Sequence, residues 1–207
     1  MSKNNQTKNK YNRIANVYNF FTGGRDYSKI STWTQRVIDN LEGKKILEVG
    51  VGTGKVARHY PDHLEVVGID FSKNMLKRAE KEVINKDNVT LFEMDAQKMT
   101  FEDNSFDTVV ASCVFCAVPN PILGMSEMQR VCKANGKIIM VEHVRSEKVI
   151  KGKIMDWLNI ITAKIMGEHI NRDTENNLLI AGFNRNDIKS DYIYSDIVKF
   201  ITIRNKK

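Results

Sequence analysis

The sequence predicts a doubly wound α/β fold: a seven-stranded, mostly parallel sheet with helices on both faces and a C-terminal antiparallel hairpin. Short apolar runs alternate with helical stretches from Lys44 onward, one run leads into a glycine-rich turn, and acidic residues recur at the ends of successive runs. Such alternation is the pattern of strand and crossover-helix units, whose strands are covered on both faces. The runs are Lys45 to Val49, Glu65 to Ile69, Val89 to Met94, Asp107 to Ser112 and Lys137 to His143, with a helix expected in each interval. Asn186 to Tyr194 and Ile197 to Arg204 read as the hairpin, turning at Tyr194, Ser195 and Asp196.

Ahead of the sheet, Tyr11, Ile14, Val17, Tyr18 and Phe21 fall at helical spacing among Lys8, Lys10 and Arg13, which predicts a basic amphipathic helix. Thr22, Gly23 and Gly24 break it, and a second helix is expected from about Ser31 to Leu41, ended by Gly43. The 207 residues are expected to form one domain, with residues 1–9 a disordered arm, 10–42 lid or interface helices and 44–207 the core.

The polar, Asn/Lys-rich start lacks the apolar stretch of a signal peptide, and no apolar run approaches the roughly 20 residues that span a bilayer, so a cytoplasmic protein is expected. Three cysteines are poor material for a disulfide framework and are expected to be reduced. Cys113 and Cys116 have the spacing of a metal or redox pair but no second pair or suitably spaced His, so packing is the better reading and no metal is expected. A net charge of +7 favours an anionic partner. The lysines are scattered, with no contiguous basic stripe, so nucleic acid is not the expected one.

The informative segment is Ile46 to Gly54, an apolar strand running into glycines at 50, 52 and 54. Such a loop lets backbone approach a ligand where a side chain would fill the ligand's space. A mononucleotide phosphate loop needs a longer spacing and a hydroxyl after its lysine, but Val56 follows Lys55. The dinucleotide fingerprint needs glycine at position 55, which is Lys55. S-adenosylmethionine remains, since it carries no pyrophosphate to cradle. Glu48 could face its cationic aminoacyl end, Asp70 its ribose hydroxyls, and Asp95 with Ala96 its adenine edge.

These residues resemble class I methyltransferases of Rossmann-like fold, and within them the branch of ubiquinone/menaquinone methyltransferases, bacterial phospholipid N-methyltransferases and related thiol methyltransferases. The matching stretches are Tyr11 to Tyr18, Leu47 to Gly54, Gly68 to Ser72 with Met75 and Leu76, Phe106 to Val110, and Glu142 to Val144. The resemblance implies a cofactor set of Glu48, Gly50, Gly52, Asp70, Asp95 and Ala96, to which Tyr11, Phe71, Met75 and Ser112 are added. S-adenosylhomocysteine is the implied product. Lys133-Ala134-Asn135-Gly136 departs from the Lys-Pro-Gly-Gly of relatives; Asn tolerates the left-handed conformation, so the turn is expected to survive.

The acceptor is expected beyond the strand ends, along the mainly apolar Ser112 to Pro119, with Phe115 lining it and Arg172 holding an anionic group. His143 is the candidate general base. By the resemblance the N-terminal segment closes over the cofactor and brings Tyr18 near the sulfonium; the same basic helix, with Phe20 and Phe21, fits an anionic membrane surface. The expected acceptor is a phosphatidylethanolamine-type amine. A thiol, a quinone-precursor carbon, and a noncatalytic cofactor-sensing or nucleic-acid-binding module are the alternatives.

Overall fold

The computed structural model describes residues 7–12, 30–165 and 171–207. Its strands are β1 (Lys45–Val49), β2 (Glu65–Asp70), β3 (Val89–Glu93), β4 (Phe106–Ser112), β5 (Cys132–His143), β6 (Ile188–Tyr194) and β7 (Val198–Arg204). They form one seven-stranded sheet in the order β3-β2-β1-β4-β5-β7-β6. β1 pairs in parallel with β2 and β4, β2 with β3, and β4 with β5, whereas β7 runs antiparallel to β5 and β6. The expected fold class is therefore the observed one. The order reverses at β1, so the crevice opens beyond the carboxyl ends of β1 and β4.

The strands alternate their side chains between two cores. Leu47, Val49, Ile138 and Met140 enter one, and Ile46, Ile139 and Val141 enter the other. Residues 7–12 are helical (α1), beginning inside the stretch expected to be an arm; the remainder of the predicted basic helix lies outside the described residues. Next come α2 (Thr32–Asp39) and α3 (Lys73–Glu82), which bury Val37 and Leu76 with Ala79 respectively in the core that holds Ile46. α4 (Pro121–Val131) and α6 (Thr174–Ile180) cover the opposite face through Met125, Met128 and Leu178, and α5 (Val149–Ile165) follows β5. Side chains begin these helices as the sequence suggests: Ser72 Oγ accepts from Met75 N, and Asn120 Oδ1 accepts from Leu123 N just ahead of Pro121.

Two intervals depart from expectation. The β1–β2 crossover holds only a short 3-10 turn, Ala57–His59, and residues 94–105 between β3 and β4 contain no helix. In the second interval, tertiary bonds replace helical ones: Arg130 of α4 donates to the carbonyls of Met99 and Phe101, and Glu127 accepts from Met99 N. β5 also starts earlier than expected because Cys132 pairs with Phe106 before a register shift. The Asn135 turn survives with φ of 60°, and Asn205 fastens it, accepting from Asn135 N and donating to Gly136 O.

Candidate active site

A cavity of about 970 Å³ opens beyond the strand ends. That volume lies near the top of the ~300–1,000 Å³ range of small-molecule sites, room for a nucleoside-sized molecule and a second reactant. Its floor is the glycine loop, whose three glycines have φ of +67°, +56° and +83° at positions 50, 52 and 54. A Cβ at Gly50 would stand 2.5 Å from a Val114 methyl, and one at Gly54 would stand 3.0 Å from Ala79 Cα in α3. At Gly52 the nearest atom would be 3.9 Å away, a backbone oxygen. Only Gly52 therefore presents bare backbone to open space; Gly50 and Gly54 are small because protein packs against them.

The carboxylates expected at the strand ends line this cavity, each in a different state. Glu48 is buried, and burial pushes its carboxyl up to about 8; the Tyr60 phenol opposes that rise and the nearby Asp70 adds to it. Among the described residues neither Glu48 Oε2 nor the Tyr60 hydroxyl beside it reaches a partner at hydrogen-bond geometry. Ser112 Oγ, at the end of β4 beside β1, is a third buried oxygen without a partner among the described residues. Asp70 accepts from Gly52 N at 2.9 Å and from Ser72 N at 2.8 Å. Burial raises its carboxyl to about 6, against the pull of those amides. Asp95 accepts from the backbone and side-chain nitrogens of Gln97, whose own Oε1 accepts from Asn120 N, so Gln97 joins the Asp95 side of the cavity to α4.

The N-terminal helix lies across the rim. Asn12 accepts from Ser72 Oγ at 2.7 Å, its carbonyl accepts from Asn74, and Lys8 pairs with Glu93. Tyr11 packs on Phe71 with ring centroids 5.7 Å apart, and both line the cavity with Met75 and Ala96. Tyr18, Phe20 and Phe21 lie outside the described residues.

β4 gives way to Cys113, whose φ of 55° turns the chain out of the sheet. Val114 and Phe115 both donate backbone N–H to Glu142 Oε1, at 2.9 and 3.1 Å. Burial lifts the Glu142 carboxyl to about 7 while those amides and Arg172 hold it down. Arg172 donates to Val118 O at 2.8 Å, and its buried Nε has no partner among the described residues. Glu142 and Arg172 thus fix the two ends of the stretch from Val114 to Val118, most of which lines the cavity.

This arrangement corrects two expectations. Phe115 is absent from the cavity wall; its ring is buried in the core, 2.8 Å from where a Gly124 Cβ would stand, because the turn at Cys113 breaks the strand alternation. Arg172 is also absent from this wall; it is spent on the Val118 carbonyl and borders a separate polar cleft. His143 does line the cavity, as do Cys113, Val114, Ala117, Val118 and Pro119. The sequence did not signal Tyr60, Gln97, or the contributions of Trp33, Tyr192, Ile193 and Val198 to the wall. The last three arrive only because β7 pairs back along β5.

The donor set fits S-adenosylmethionine: an orphaned carboxylate oxygen and hydroxyl for an ammonium, a bare glycine, and acidic side chains after β2 and β3. Comparison with known proteins agrees. Residues 47–140 match the family described as "Methyltransferase domain". A phosphatidylethanolamine N-methyltransferase of Cereibacter sphaeroides is 43% identical over 53% of this chain and 55% of its own length. A demethylmenaquinone methyltransferase of Staphylococcus aureus (strain MRSA252) is 34% identical over 64% of this chain and 55% of its own. The chain thus spans about half the length of the curated relatives it matches. A solved SAM-dependent methyltransferase of Thermotoga maritima superposes with a TM-score of 0.70 at 20% identity, covering 96% of this chain and 99% of that one. That likeness concerns the fold. The segment from Leu47 to Met140, carrying the glycine loop and the acidic ends of β1, β2 and β3, is the part of the chain that matches the methyltransferase domain family.

Proposed function

We propose that the chain is an S-adenosylmethionine-dependent methyltransferase whose acceptor is a phosphatidylethanolamine-type amine. The observation that carries the reading is a pair of buried oxygens without a partner among the described residues, Glu48 Oε2 and Ser112 Oγ, in the cavity whose floor is Gly52. An unsatisfied buried carboxylate is costly, and a cationic ligand removes that cost. The cofactor supplies a methyl carbon on a sulfonium, an already activated leaving group, so the protein's task is alignment in a dry site. Glu48 and Ser112 would receive the aminoacyl end, Asp70 the ribose, and Asp95 with Ala96 the adenine. Tyr11, Phe71 and Met75 would cover it, with Tyr18 completing the lid.

An ammonium acceptor must lose a proton before its nitrogen can attack, and His143 at the cavity wall is the group proposed to take it. The apolar stretch from Val114 to Pro119 suits an amphipathic acceptor, and the 43%-identical relative is named for phosphatidylethanolamine. No helix among the described residues is long and apolar enough to cross a membrane, so the reading has the protein meet its lipid from the surface.

The test is transfer of labelled methyl from S-adenosylmethionine to phosphatidylethanolamine in anionic vesicles, to a panel of thiols, and to a demethylated quinone precursor. Label in the lipid amine, lost in His143→Ala, supports the reading. Label only in the quinone precursor transfers the assignment to the chemistry for which the second relative is named. Label only in thiols, or none despite cofactor binding, refutes the amine acceptor.

A further inference from the structure

We propose that the outer face of α5 docks on an anionic phospholipid surface and presents the cavity mouth to it, an inference that builds on the lipid-acceptor reading. Among the described side chains of α5, Gly152 and Met155 are buried, while Ile150 is 77% exposed, Ile154 53% and Trp157 63%, with Val149 and Leu158 also open. Ile150, Ile154, Trp157 and Leu158 recur at spacings of three and four, so they share one stripe of the helix. A contiguous exposed apolar patch of this kind marks an interaction surface.

Two features choose a bilayer over a protein partner. The patch is bracketed by cations, since Lys148 and Lys153 are exposed and form no ion pair among the described residues, whereas of the neighbouring acids Asp156 pairs with Arg145 and Glu147 accepts from the Tyr192 hydroxyl. Exposed tryptophan beside aliphatic residues and unpaired lysines is the composition of a helix lying in a headgroup interface.

The helix is also coupled to the site. Lys151 donates to Ser195 Oγ at 2.9 Å and pairs with Asp196 in the β6–β7 turn, and Ser146 bonds the same aspartate. Tyr192, Ile193 and Val198, on either side of that turn, line the cavity. α5 itself leaves the carboxyl end of β5 just after His143, so the apolar stripe and the cavity mouth share one end of the sheet. A lipid lifted from the docked surface would have its amine near His143 without leaving the protein's shadow.

The test is co-sedimentation of the full chain with vesicles of equimolar phosphatidylglycerol and phosphatidylcholine, and with phosphatidylcholine alone. Binding to the anionic vesicles is expected, falling at least about tenfold in the double variant Ile154→Ser with Trp157→Ser, since two buried apolar side chains are lost. Lys148→Gln and Lys153→Gln should each weaken it about fivefold, the equivalent of ~1 kcal/mol per lysine at an anionic surface. S-adenosylmethionine affinity and unfolding temperature should not move in these variants, because the side chains are exposed. Equal sedimentation of wild type and the double variant overturns the proposal. So does a wild-type dimer in light scattering that becomes monomeric in the double variant, which would give the face to a second copy of the chain. Methyl transfer to detergent-dispersed phosphatidylethanolamine is read separately: its absence overturns the amine acceptor while leaving the vesicle-binding result standing.

Discussion

Gly52 donates its backbone N–H to the Asp70 carboxylate at 2.9 Å, which ties the loop after β1 to the end of β2 at the wall of the cavity. The same carboxylate caps the start of the next turn through Ser72 N. One acidic side chain thereby holds both walls of the site before any ligand enters.

The glycines should separate by substitution. Gly52→Ala places a methyl in open cavity at φ of +56°, so it should weaken cofactor binding more than tenfold. Its stability cost should be only ~1–2 kcal/mol for the left-handed residue. Gly50→Ala drives a methyl into Val114 as well and should cost more stability. Calorimetric affinity and urea unfolding of the two variants check this; equal stability losses would contradict the division of roles.

Removing the Glu142 carboxylate should loosen the acceptor floor. Glu142→Ala leaves the Val114 and Phe115 amides without their acceptor, a loss of ~1–3 kcal/mol for each buried donor. Glu142→Gln keeps a carbonyl oxygen there and should recover most of it. Urea unfolding reads the difference, and an alanine variant as stable as wild type would show that the floor is held otherwise.

The apoprotein should lose stability as pH rises from about 5 toward 8. Burial raises Glu48 to about 8, Glu142 to about 7 and Asp70 to about 6, so in this window the folded chain binds more protons than the unfolded one. Stability present below the ordinary carboxylate range is then lost as pH climbs through these values. Glu48→Gln should flatten the upper part of the slope and raise the melting temperature near pH 8. A wild-type melting temperature that increases steadily across the window contradicts this.

The parts of the fold legible in the sequence were those set by local pattern. β1 was placed residue for residue because its apolar run ends at the glycine turn, and the other strands were displaced only at their ends. The β3–β4 connection was misread as helical because its fastening by Arg130 and Glu127 comes from α4, distant in sequence. Within the site, Glu48, Asp70 and Ser112 were legible because parallel strands deliver their last residues to one crevice. Phe115 was not, since the left-handed backbone at Cys113 reverses the alternation just before it. Nor was Arg172, whose acceptor is a carbonyl on a segment far along the chain. Tyr60 gave no signal, lying in a crossover where only tertiary packing brings it beside Glu48.

The most direct measurement is isothermal titration of S-adenosylmethionine into wild type and Glu48→Gln at pH 7 and 8, in buffers of different ionisation enthalpy. One site per chain is expected, with protons released on binding because the cationic ligand favours ionised Glu48. A loss of about tenfold or more is expected in the glutamine variant, from the ~1.5–3 kcal/mol of a charged hydrogen bond. Absence of binding, or equal affinity in both proteins, would contradict the assignment of this cavity to the cofactor.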